Sequence, residues 1–148
     1  MGNEREQLIK LINETDADVF VECFASTTFL GHSLRSFKRK AINDDNPYFI
    51  SAIKEIRDSE DTEPNLKKEL LDCVYFDSDY MDVINIYDDK NAIFFFAPAY
   101  MDEELIQIIK MTVGKAVVFD IQCDWLDRRF HGWNVKYLDN RMAIYYNF

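Results

Sequence analysis

Residues 82–97 read DVINIYDDKNAIFFFA, and the fold depends on how this stretch is taken. Two apolar segments flank the polar tetrad Asp88-Asp89-Lys90-Asn91. That pattern predicts two strands joined by a short turn. The second strand holds Ile93-Phe94-Phe95-Phe96, the most apolar run of the chain. Carboxylates crowd around it: Asp72, Asp77, Asp79 and Asp82 before, Asp88 and Asp89 within, Asp102, Glu103 and Glu104 after. The expectation is a core hairpin with an acidic rim.

Working outward, an apolar stripe of Leu8, Ile9, Leu11 and Ile12 predicts a helix over 3–14. Residues 18–24, DVFVECF, read as a strand, and Thr27 and Thr28 favour extension of the segment after it. The basic stretch 35–40 is read as a helix continuing to Ile42, its charges solvated or paired with the acidic region. Asn43-Asp44-Asp45-Asn46-Pro47 marks a turn, and Pro47 starts a helix to about Ser59. A short helix follows over 65–73, and a longer one over 99–113, where Asp102, Glu103 and Glu104 suit the first turn. Residues 115–123 read as a strand, and 130–138 with 142–148 as a terminal hairpin. Short turns between strands imply a single-domain α+β fold over 1–148. Its sheet is expected to be largely antiparallel, with five or six strands and three or four helices packed mainly on one face.

Charge bounds the function. The formal net charge is −10, and residues 44–104 hold 17 Asp and Glu against 5 Lys and Arg. A field of that sign repels nucleic acid and anionic lipid and attracts basic partners. Cys23, Cys73 and Cys123 are too widely spaced for a zinc pair and odd in number, so they are read as small core residues of a reduced, cytoplasmic protein. No run approaches a membrane span or a secretion signal.

Catalytic signatures are weak. Gly31-His32-Ser33 lacks the second glycine of a nucleophile elbow, and His32 and His131 are the only histidines. Asp77-Ser78-Asp79 lacks the glycine and downstream glutamate of a calcium loop. Glycines at 2, 31, 114 and 132 cannot form a dinucleotide fingerprint. The reading is therefore no catalytic residue, no metal and no cofactor. Three alternatives remain at this level. The first is a non-catalytic binding module. The second is a mimic of nucleic acid that blocks a DNA-binding protein. The third is a small enzyme or ligand-binding domain with a pocket of Trp125, His131, Trp133 and Asp120.

Acids on a stiff hairpin interleaved with Tyr75, Tyr80, Tyr87 and Tyr100 would suit a cationic protein surface. In size, charge, compartment and this acid-plus-tyrosine hairpin, the chain resembles the small acidic immunity proteins that bacteria keep against nuclease toxins. The resemblance implies a non-enzymatic inhibitor of a basic toxin domain, with no nucleic-acid or membrane partner, as monomer or homodimer. The expected contact set is Asp77, Asp79, Tyr80, Asp82, Tyr87, Asp88, Asp89, Asp102, Glu103 and Glu104.

Overall fold

A computed structural model describes residues 2–148. Seven strands run β1 Val19–Glu22, β2 Arg39–Asn43, β3 Cys73–Phe76, β4 Ala92–Phe96, β5 Lys115–Ile121, β6 Asn134–Tyr137 and β7 Met142–Tyr146. Seven α-helices accompany them: α1 Gly2–Asn13, α2 Ala25–Thr28, α3 Pro47–Asp58, α4 Pro64–Leu71, α5 Tyr80–Tyr87, α6 Glu103–Met111 and α7 Asp124–Arg129. All strands join one sheet in the order β3-β2-β1-β4-β5-β7-β6. Pairing is parallel from β3 through β5, and β7 is antiparallel to both β5 and β6.

This corrects the expected α+β fold, and the opening stretch shows why. Residues 80–87 are helical, not the first arm of a hairpin. Asp79 caps the helix by accepting from the Met81 amide at 2.8 Å, and Val83 and Ile84 are its buried residues. The tetrad 88–91 is the connection that leads from this helix into a parallel strand. Asp88 there accepts from the Val113 and Gly114 amides, both at 3.0 Å, and so ties the connection to the entry of β5.

The apolar run of β4 is buried on both faces. Phe94 and Phe96 pack with Val83 of α5, Leu105, Ile106 and Ile109 of α6, and Leu126 of α7. Ile93 and Phe95 pack with Leu8 and Ile12 of α1 and with Leu30 and Leu34 beyond α2. A strand covered by helices on each side needs no polar alternation. Continuous hydrophobicity thus marks the centre of a doubly covered sheet.

The basic stretch 35–40 is not a helix. It leads into β2, and its cations are used internally. The Arg35 guanidinium donates to the carbonyls of Asn13, Thr15 and Ala17, and its Cζ lies 3.8 Å from the centre of the Phe37 ring. Lys40 is buried and sits 3.3 Å from an Asp72 oxygen. Cys23 and Cys73 are buried as expected, whereas Cys123 is exposed.

Candidate functional site

The sheet winds in two directions from its centre. The chain passes from β1 outward to β2 and β3, then returns to start β4 on the other side of β1. Connections therefore diverge between the carboxyl ends of β1 and β4. In doubly wound sheets that divergence opens a crevice where ligands bind.

Each wall of the crevice follows from local sequence. Beyond β1, Glu22 is fully buried and accepts from the Leu30 and Gly31 amides, each at 2.8 Å, and from the Thr28 hydroxyl at 3.1 Å. These bonds wrap 25–31 into a compact turn of α2 and a 3-10 turn around one carboxylate. Gly31 packs closely there, since a Cβ would lie 2.1 Å from Ile42 Cδ1 and the buried isoleucine would have to shift. Burial pushes the Glu22 pKa up to about 7, against the opposing pull of its donors. Thr27 crosses the crevice and donates to the Ala97 carbonyl at 2.5 Å, which joins the loop after β1 to that after β4.

Beyond β2, Asn43 bridges strand ends by donating to the Cys23 and Ser78 carbonyls and accepting from the Ser78 amide. Asp44 is buried and accepts from the Ser26 amide at 2.8 Å. Asp45 next to it is exposed. Beyond β3, Asp77 and Asp79 are exposed, and the Tyr80 ring lies 5.3 Å from that of Phe24. Burial, followed by the charges of Asp79, Glu104 and Asp102, raises the Tyr80 pKa. Beyond β4, the turn Ala97-Pro98-Ala99-Tyr100 holds no carboxylate.

The residues of the expected contact set fall in three places. Asp77, Asp79, Tyr80, Asp102, Glu103 and Glu104 follow β3 or β4 and collect at the carboxyl edge. Asp102 caps α6 through the Leu105 amide, and Glu103 pairs with Arg129. Asp82 and Tyr87 lie on α5, which runs away from that edge, and Asp88 and Asp89 lie at the opposite end, before β4 begins. No single hairpin displays all ten. Sequence reasoning did not single out Glu22, Phe24, Asp44 or Asp45 as site residues. An apolar strand ending in an acid, followed about twenty residues later by a second acid, was the available signal.

Of the residues expected to line one pocket, the tryptophans and Asp120 go to different places. Trp125 and Trp133 pack against the core, with Trp133 4.8 Å from the Phe130 ring and Arg129 5.1 Å from the Trp125 ring. Asp120 instead lines a separate cavity beside the turn after β4. No group of three or more His, Cys, Asp or Glu side chains placed for a metal ion occurs among the described residues. No helix among them is long and apolar enough to cross a membrane.

A mostly parallel seven-stranded sheet, helices on both faces and connections that diverge between β1 and β4 together define a Rossmann-like, doubly wound fold. Among solved structures the chain is similar to a precorrin 8w decarboxylase from Methanobacterium thermoautotrophicum, at 19% identity and TM-score 0.65 over 99% of this chain and 89% of that one. It is also similar to a precorrin-6y C5,15-methyltransferase from Geobacter metallireducens, at 14% identity and TM-score 0.63 over 97% and 86%. An rRNA methylase from Streptococcus thermophilus gives 11% identity and TM-score 0.62 over 98% and 93%. No protein-family model and no curated protein matches the sequence.

At these identities the likeness shows the fold. It overturns the immunity-type inhibitor, the nucleic-acid mimic, the non-enzyme reading and the basic toxin partner, all of which rested on an acidic hairpin that does not exist.

Proposed function

We propose that the chain is a methyltransferase whose donor, a sulfonium nucleoside such as S-adenosylmethionine, lies in the crevice between the carboxyl ends of β1 and β4. The observation that carries this is the switch point itself, walled by acids and two aromatic rings. The fit is selective. A dinucleotide is disfavoured, because the loop after β1 has no glycine across 25–30 and its Ser26 amide is taken by Asp44. A pyrophosphate would also face Asp45, Asp77 and Asp79. A nucleoside that carries no phosphate and a positive sulfur meets neither objection.

The chain's own groups divide the work. Asp45 would accept from ribose hydroxyls, as an acid about twenty residues past the first loop does in doubly wound folds. Phe24 and Tyr80 offer apolar faces, and Asp79 sits beside Tyr80 to favour positive charge. The Glu22 network holds the loop after β1 in shape, and the Thr27 bond to Ala97 fixes it against β4. When bound, the donor supplies a methyl group made electrophilic by the cationic sulfur. The turn after β4 carries no acid, so orientation of the acceptor falls to residues of neighbouring strands.

Isothermal titration with S-adenosylhomocysteine tests this reading. Saturable binding is expected, and Asp45→Asn should weaken it about tenfold, in line with a hydrogen bond to a charged group. The exposed position of Asp45 leaves stability unchanged in the same variant. Absence of binding to the wild-type protein would remove the proposal.

A further inference from the structure

A cavity of about 300 Å³ adjoins the crevice on the β5 side, walled by Thr28, Pro98, Phe119, Met142, Glu4 and Asp120. It lies at the small end of ligand sites (roughly 300–1,000 Å³). Two features mark it as built for a ligand. Glu4 is 5% exposed, and its buried Oε2 has no hydrogen-bond partner among the described residues. Buried carboxylate oxygens are nearly always paired, so this one calls for a donor that the described residues do not supply. Asp120 is half-buried at the other wall and, among the described residues, accepts only from the neighbouring Ile121 amide, at 2.7 Å. No Lys or Arg forms a salt bridge with either acid among the described residues.

We propose that this cavity takes a small cationic amine, with Glu4 and Asp120 receiving its N–H groups while Pro98, Phe119 and Met142 cover its apolar part. As the acceptor site it rests on the methyl-transfer reading, since Ala97, Pro98 and Ala99 line the cavity and also close the crevice. Binding of the amine stands apart from that reading and can be measured without donor. A polyanion is the poorer occupant, because Arg35 and Lys40 are spent on internal partners and the rim is acidic. Burial raises the Asp120 pKa against the pull of the Ile121 amide, and a cationic partner would favour its charged form.

The experiment is a titration of the full chain, followed by amide NMR, with benzylamine, its neutral isostere benzyl alcohol, and a short RNA oligonucleotide. Benzylamine is expected to move the amides of Thr28, Ala99 and Ile121. The alcohol and the Glu4→Gln/Asp120→Asn variant should each bind about tenfold more weakly, as loss of a charge-assisted contact implies. The single Asp120→Asn variant provides the same comparison if the double one folds poorly. Glu4→Gln should not lower thermal stability, which separates a ligand-holding carboxylate from a structural one. Equal affinity for amine and alcohol, unchanged affinity in the variants, or RNA moving the same amides would overturn the proposal. Failure of S-adenosylhomocysteine to bind, with amine binding intact, would sink the donor reading alone.

Discussion

Phe94→Ala and Phe95→Ala should each destabilise the protein by about 3–5 kcal/mol, read as a fall in urea midpoint at unchanged slope. Both side chains are fully buried, yet they point to opposite faces of β4 and join different cores. A domain of this size has roughly 5–15 kcal/mol in hand, so either change consumes a large part of it. The paired result discriminates between folds. A hairpin with one wet face would lose stability from one of the two and tolerate the other within about 0.5 kcal/mol. A strand central to a parallel sheet suffers from both. Tyr100→Ala is the control, because that ring is 78% exposed at the crevice rim. Losses of similar size for Phe94 and Phe95, with Tyr100 unaffected, are the expected pattern.

Glu22 gives the second large effect, as a dependence on pH. Its pKa in the folded chain is about 7 against an ordinary 4.5, chiefly because burial disfavours the charged form. Below pH 4.5 both states hold the proton, and the group's contribution to stability is fully present. Between 4.5 and 7 the folded chain keeps a proton that the unfolded chain has released, so stability falls as pH rises. Above 7 the loss is complete, at about 3 kcal/mol. Urea unfolding of wild type and Glu22→Gln at pH 5 and pH 8 isolates this term, since other titrations cancel in the difference. Wild type should lose about 2–3 kcal/mol relative to the variant between those pH values, because a small part of the loss already lies below pH 5. A difference independent of pH would contradict the assignment. The consequence reaches function, because the same carboxylate gathers the loop that walls the crevice.

Much of the chain could be read locally. Helices near 47–58 and 103–111, the strand at 115–121 and the terminal hairpin of β6 and β7 lie where periodicity and turns put them. The central error was one of pairing. Residues 82–87 are too few for period alone to separate helix from strand, and the polar tetrad after them imitates a hairpin turn. The helical signal was present in Asp79 as a cap, with Tyr80, Val83, Ile84 and Tyr87 at helical spacing. β2 was hidden by Arg39 and Lys40, whose charges argued for a solvated helix, although Lys40 is buried against Asp72.

The site was obscured for a different reason. A glycine-rich first loop is the usual flag of a doubly wound sheet, and here 25–30 is Ala-Ser-Thr-Thr-Phe-Leu. Glu22, Thr28 and Asp44 shape that loop by side-chain bonds, so the flag was absent while the crevice remained. The acids after β3 and β4 were visible as a cluster. Only the parallel connections could separate them from Asp88 and Asp89 at the other end of the sheet.

The most direct test of the crevice is an amide NMR titration of the wild-type chain with S-adenosylhomocysteine. Saturable shifts are expected, confined to 23–28, 44–46, 77–80 and 97–100, the four loops at the carboxyl ends of β1 to β4. Shifts centred on 82–91, or none at millimolar ligand, would contradict donor binding in the crevice.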